Sequence, residues 1–453
     1  MIEQKNKDNI NKSVVRIFAE VISINPYIPF NNIPPSRGQG TGFFIDNKGH
    51  ILTCSHVVNS AINILIDIPS ISTDKLKCEL IYIVPHFDLA LLKVIDYKNK
   101  NFIELGNSDN IKMSDKVFAV GFPKSINTGG GNNIKYTLGI VSGHQEGLIQ
   151  TDTAINPGNS GGPLFKDNKV VGVNSSKMVG GNVSNIGYVV PINYFKNIKN
   201  NKNNKSKIIN RPLLNCIINN TDNSVCNTLT NNNTGIYISK IYSKSIFKDM
   251  DEDIYLTKFD KYKIDNFGYV DKRWIGEKIH LKNILNFYKS NEKIDIEYYS
   301  NKKKFSKKIK LIDTKPIIDI MHSNFEKVDF LILGGAILMN LYIDHNEKLY
   351  IINEMKDLYE EKIIISYILP NTVFNILGNI NTGSVIKEIN DQEVNTLDKI
   401  REVLKKPFKM NGINILKIKD SNDNINILNI KDVIKDNKNL SKIYKFNNKN
   451  IIS

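Results

Sequence analysis

From Ser13 to about Asn193 the sequence holds no long apolar stripe at helical spacing. It offers short apolar runs parted by turn residues: Val14-Val15-Arg16-Ile17-Phe18, Gly42-Phe43-Phe44-Ile45, Leu89-Ala90-Leu91-Leu92-Lys93-Val94 and Val117-Phe118-Ala119-Val120-Gly121. Evenly spaced short strands with Gly, Asn and Asp between them predict an all-β barrel or sandwich. At 453 residues the chain exceeds one compact core, so further domains follow.

Residues 1–12 are polar and read as a disordered N-terminus, with the β-rich domain over 13–196. Residues 197–210 are a Lys/Asn-rich linker, unable to pack. Two α+β segments follow at 211–312 and 313–434, each with strands and a helix, Leu281 to Tyr288 in one and Leu397 to Leu404 in the other. Residues 435–453 are a Lys/Asn-rich tail expected to lack order. The whole is therefore predicted to be mainly β.

Net charge is +15, but the lysines are spread among Asn and Ile over the full length. That distribution reads as a solvated surface, and no aromatic-basic motif supports a nucleic-acid partner. Four cysteines without C-x-x-C spacing make neither a disulfide framework nor a zinc site, so free thiols in a reducing compartment are expected. Arg16 and Glu20 break the first apolar run, so no signal-peptide core is read there. The stretch Phe330 to Met339 is too short for a membrane helix and reads as two buried strands. These features lead to the expectation of a soluble intracellular protein, cytoplasmic or nuclear, with no membrane partner.

Three landmarks carry chemistry. Gly40-Thr41-Gly42-Phe43-Phe44-Ile45 and His50-Ile51-Leu52-Thr53-Cys54-Ser55-His56 form a hairpin ending in a histidine. His86-Phe87-Asp88-Leu89 sets a carboxylate at the head of an apolar strand, and Asn156-Pro157-Gly158-Asn159-Ser160-Gly161-Gly162-Pro163 sets a serine in a glycine-rich turn. Acyl transfer needs a base to take the serine proton and a carboxylate to hold the imidazole. His56, Asp88 and Ser160 offer those groups in that order.

On these motifs, residues 13–195 resemble the trypsin-like serine proteases of the HtrA/Deg family. The resemblance implies a double β-barrel with His56 as general base, Asp88 as its orienter and Ser160 as nucleophile. It makes the N–H groups of Gly158 and Ser160 the oxyanion hole. It places Ile155, Asn174, Ser175, Ser176 and Lys177 at the substrate, with Lys177 near the specificity pocket; Cys54 reads as a small apolar filler. No cofactor and no metal is implied. Arg211 to Ile217, with Asn215 where a glycine is usual, resembles the opening loop of a PDZ domain. Leu331 to Ala336 and Gly383 to Asn390 resemble a second, divergent one, a layout similar to plant nuclear Deg proteases. The implied activity is ATP-independent cleavage of unfolded or misfolded proteins. Peptide C-termini would be taken at the PDZ domains, and the implied assembly is a trimer-based homo-oligomer. The rival is a peptide-binding scaffold with little turnover.

Overall fold

The structure is a computed structural model that describes residues 4–31, 33–123, 133–175, 186–198, 207–231, 233–322 and 324–446. It divides into two compact units. One comprises Met1–Val21 and Ser36–Lys315, the other Ile22–Pro35 and Pro316–Ser453.

In the first unit, helix α1 (Gln4–Ser13) precedes two closed six-stranded barrels. Residues 4–12, expected to be disordered, are thus helical as part of α1. Ile10 and Ser13 are its buried residues, so one side of it packs although its composition is hydrophilic. The first barrel joins β1 (Val14–Val21), β2 (Ser36–Phe44), β3 (His50–Cys54), β4 (Ala61–Ile68), β5 (Ser72–Val84) and β6 (Leu89–Val94). Strand β1 pairs with both β2 and β4, which closes the ring in the order β1-β2-β3-β6-β5-β4. A single-turn helix α2 (Ser55–Val58) follows β3. The second barrel joins β7 (Lys116–Gly121), β8 (Lys135–Gln145), β9 (Leu148–Thr151), β10 (Pro163–Lys166), β11 (Lys169–Ser175) and β12 (Gly187–Pro191) in the order β10-β11-β12-β9-β8-β7. Helix α3 (Ile192–Ile198) closes it. Closure leaves neither barrel an open edge.

The expected linker does not isolate the next module. Residues 199–206 lie outside the described residues, but Ile209 N donates to Ile83 O at 2.8 Å and Ile83 N to Lys207 O at 2.8 Å. The module has β13 (Cys216–Asn219), α4 (Asn223–Leu229), β14 (Ile236–Ile241), β15 (Ile254–Phe259) and β16 (Tyr262–Lys263). The hairpin β17 (Tyr269–Trp274) and β18 (Glu277–His280) follows, then α5 (Leu281–Ile284), β19 (Lys293–Ser300) and β20 (Lys303–Lys310). Its sheet runs β13-β14-β15-β19-β20, with β13 at one end. One apolar core extends from Ile149, Leu164 and Val189 of the second barrel to Leu256, Trp274 and Leu281 of this sheet. The Trp274 indole N–H donates to Ser108 O at 3.0 Å. The Leu281–Tyr288 helix is half α and half 3-10, and Asn215 takes φ +36°, the left-handed side that Asn tolerates.

The second unit is an α+β sheet of β21 (Leu331–Leu333), β22 (Ala336–Asn340), β23 (Ile363–Ile368), β24 (Val385–Ile389), β25 (Gln392–Glu393), β26 (Lys409–Met410), β27 (Ile413–Asp420) and β28 (Ile425–Asn429). Its helices are α6 (Asn346–Leu349), α7 (Val373–Leu377), α8 (Leu397–Leu404) and α9 (Ile430–Tyr444). The run Phe330 to Met339 is the expected pair of strands, and α8 has the expected bounds. The expected tail fails through Phe446. Val433, Asn437 and Leu440 are buried on one side of α9, a stripe that the Lys/Asn composition conceals. Asn437 Oδ1 accepts from Gly334 N at 3.0 Å and its Nδ2 donates to Ile332 O at 3.1 Å, which pins α9 onto the glycine turn between β21 and β22.

Candidate active site

Strand β3 runs beside β6, with Cys54 opposite Leu89. This register brings the residues just after one strand to the residue just before the other. His56 lies in α2, and Asp88 follows the 3-10 turn Pro85–Phe87 at φ +53°. The His56 Nδ1–Asp88 Oδ2 distance is 2.7 Å, and His56 N donates to Asp88 Oδ1 at 3.0 Å.

Two further donors reach the carboxylate: Ser55 Oγ to Oδ1 at 2.9 Å and Ser175 Oγ to Oδ2 at 2.8 Å. Burial by itself would raise the Asp88 pKa. The hydrogen bond and charge of His56, the backbone N–H of His56 and the Ser175 hydroxyl outweigh it, so the carboxyl lies below its ordinary range. Asp88 is held ionised and aimed at one ring nitrogen.

The serine turn joins β9 to β10 and is stitched from two sides. Thr41 N of β2 donates to Ser160 O at 2.9 Å, and Thr41 Oγ1 donates to Gly158 O at 2.7 Å. From β11, Asn174 N donates to Gly162 O at 2.8 Å, and Asn174 O accepts from Gly161 N at 2.8 Å. Gly161 has φ +84°, and a Cβ there would lie 2.1 Å from both Thr41 O and Thr53 Oγ1. No side chain fits. Gly40 borders both Val57, next to His56, and Ser160 O, so the histidine helix and the serine turn flank the same glycine. Ser160 is 3% exposed, while the His56 side chain is 23% exposed.

The remaining expected site residues divide. Ile155 belongs to the core of the second barrel and touches Gly187. Asn174 and Ser175, both expected at the substrate, are fully buried. The end of β11 passes beside the serine turn and the Asp88 carboxylate. There the Asn174 backbone is used by the serine turn, and the Ser175 hydroxyl by Asp88. Ser176 and Lys177 lie outside the described residues. Cys54 is buried and donates its thiol to Asn174 O at 3.2 Å. Its ligand atom and those of His56 and Asp88 lie within 4.8 Å of one another. Burial, then the Asp88 charge, holds the thiol well above its ordinary pKa, and a protonated thiol is a poor metal ligand.

Residues 40–173 match the family model of the trypsin-like peptidase domain. This segment is a trypsin-like peptidase domain. The chain is 40% identical over 167 residues to a DegP-like periplasmic serine endoprotease of Pseudomonas fulva, a match covering 35% of this chain and 33% of that one. The chain thus spans about a third of the length of the first curated relatives it matches. Protease Do-like 3, mitochondrial, of Arabidopsis thaliana is 28% identical over 406 residues, 84% of this chain and 69% of the relative. Among solved structures, the HtrA-type protease AlgW with decapeptide aligns with TM-score 0.50 and 22% identity. That alignment covers 69% of this chain and 99% of that one, and it shows a shared fold. The expectation of a cytoplasmic or nuclear protein is overturned, because relatives in Pseudomonas and Buchnera are named periplasmic. That expectation rested on the unpaired cysteines, the broken first apolar run and the short stretch at 330–339, none of which fixes a compartment. No helix among the described residues is long and apolar enough to cross a membrane.

Proposed function

We propose that the trypsin-like domain is a serine endopeptidase that cleaves unfolded or misfolded proteins without ATP. The observation that carries the reading is the Asp88 carboxylate bonded to His56 Nδ1, which leaves Nε2 to take a proton. In this reading His56 removes the Ser160 proton as Oγ attacks the scissile carbonyl. Asp88 stabilises the imidazolium, and the N–H groups of Gly158 and Ser160 face the oxyanion. His56 then protonates the leaving amine, and water hydrolyses the acyl-enzyme by the same steps in reverse roles.

Strand β13, at the end of its sheet, suits addition of an extended peptide and supports C-terminal peptide binding by the first PDZ-like module. In the second module α9 occupies the glycine turn, which favours a structural cap there over a second such groove. The HtrA/Deg likeness adds a trimer-based homo-oligomer to the proposal.

Replacing Ser160 with Ala should lower casein cleavage by about a millionfold with the melting curve unchanged. A serine-directed phosphonate should label the wild type alone. Wild-type protein that neither cleaves casein nor takes up the phosphonate would refute the reading.

A further inference from the structure

The apolar run Leu331-Ile332-Leu333-Gly334-Gly335-Ala336-Ile337-Leu338-Met339 has no polar face. A strand that is apolar on both sides must be covered on both sides. Leu331, Leu333, Ala336 and Leu338 enter the inner core of the second unit. Ile332, Ile337 and Met339 enter a separate cluster with Phe330, Leu369, Leu440 and Phe446. Ile28 and Phe30, from the segment between β1 and β2, pack against that outer cluster.

That segment is unusual in composition. Residues 22–35 hold four of the chain's fourteen prolines, each fixing one backbone angle and so leaving few states to lose on docking. Residues 26–31 fold into bends and a turn, with Asn31 N donating to Ile28 O at 2.9 Å. Asn25 Oδ1 accepts from Tyr27 N at 2.9 Å and Ile28 N at 3.1 Å, which sets the turn into it.

The second unit reads the segment by backbone and side chain alike. Successive carbonyls are bonded by two fully buried donors: Pro26 O by His345 Nε2 at 2.8 Å, and Tyr27 O by Ser366 Oγ at 2.8 Å. The His345 tautomer is fixed, because Nδ1 accepts from Tyr342 N at 3.0 Å and Nε2 therefore carries the hydrogen. Lys348 Nζ stands 5.1 Å from the Tyr27 ring centre. The Phe30 ring lies in a box of Phe330, Tyr444 and Phe446, with centroids 5.6, 5.5 and 5.1 Å away.

Buried donors aimed at successive carbonyls, beside an aromatic box, form a peptide-recognition site. We propose that residues 25–31 are a resident ligand of the second unit, held in a slot that takes turned apolar segments with an aromatic after proline. The occupant is this chain's own Asn-Pro-Tyr-Ile-Pro-Phe-Asn. Such a slot is empty only when the resident leaves. A free peptide must then compete with it, and its apparent affinity falls by the fraction of slot available.

The test uses the full chain and a fluorescent peptide of the sequence of residues 24–31. Phe30→Ala should bind the peptide at least tenfold more tightly than wild type. It should also raise hydrogen exchange at the Tyr27 and Ile28 amides at least tenfold while β23 stays protected. A peptide with Ala in place of its Phe should lose binding. Equal affinity for both proteins, or unchanged exchange at Tyr27 and Ile28, would overturn the proposal. Should Phe30→Ala not fold, wild type in excess peptide gives the same reading. Exchange at those amides must then rise as the resident is displaced, and no rise at saturation overturns it. Protection that appears only as protein concentration increases would place the segment on a second copy and overturn the same-chain assignment. None of these readings depends on peptide hydrolysis.

Discussion

At the scale of residues, the candidate site is a carboxylate with four donors: His56 Nδ1, His56 N, Ser55 Oγ and Ser175 Oγ. His56, Asp88 and Ser160 are legible in the sequence because each sits in a distinctive local setting. Ser55 and Ser175 are not, since a serine beside a histidine or at a strand end is ordinary. Only the fold turns both hydroxyls onto one carboxylate. A hydrogen bond to a charged group contributes about 1.5–3 kcal/mol. Replacing Ser175 with Ala should therefore lower kcat about tenfold on a short peptide with KM little changed. It should also move the acid limb of the pH–rate profile upward, because Asp88 loses a group that favours its ionised form. Restoring a hydroxyl with Thr should recover part of the loss. An unchanged profile in Ser175→Ala would remove its positioning role.

At the scale of elements, the turn Pro85–Phe87 holds Asp88 and is gripped from outside its barrel. His86 Nε2 lies 3.1 Å from Asn286 Oδ1, just after α5. The Phe87 ring is stacked on Tyr194 at 4.7 Å, with the Arg211 guanidinium 5.3 Å from its centre. Arg211 in turn donates to Leu285 O and Tyr288 O. Burial lowers the His86 pKa despite the Asn286 bond, so the pair joins a neutral imidazole to an amide. Replacing Asn286 with Ala strands that imidazole at a cost of about 1–3 kcal/mol. Thermal melting should show that loss, and short-peptide turnover should fall several-fold through the Asp88 turn. Full activity at unchanged stability would show that the turn needs no such support. The short strands of the first 195 residues were readable from spacing alone, whereas this grip was not. It joins positions 86 and 286, and no local pattern links them. The helix α9 was hidden for another reason, because Lys and Asn fill its exposed positions and mask the buried Val433, Asn437 and Leu440.

At the scale of the molecule, the sequence divides into modules in order, but the folded chain does not. Residues 22–35 leave the first barrel between β1 and β2 and belong to the second unit. The apolar run at 330–339 signalled a sheet covered on both faces, while its cover lay some three hundred positions upstream. Buried histidines give the whole assembly a common sensitivity. Burial lowers the pKa of His86, His144, His280 and His345, the last to about 4 from 6.5. Between those two values the unfolded chain binds more protons than the folded one, so stability falls as pH falls. It is fully present above pH 6.5 and is lost through the interval toward the folded values. His345 alone should remove about 2 kcal/mol at pH 5. The ion-paired carboxylates act later. Asp88 and Asp357 lie below their ordinary 3.8, so their contribution is lost only in stronger acid. Urea unfolding of the full chain should therefore show a first decline in stability between pH 7 and 5 and a second below pH 4. Because His345 bonds Pro26, the first decline should be accompanied by faster hydrogen exchange at Tyr27 and Ile28. A stability that stays level from pH 7 to pH 5 would mean that these imidazoles are not held neutral in the folded chain.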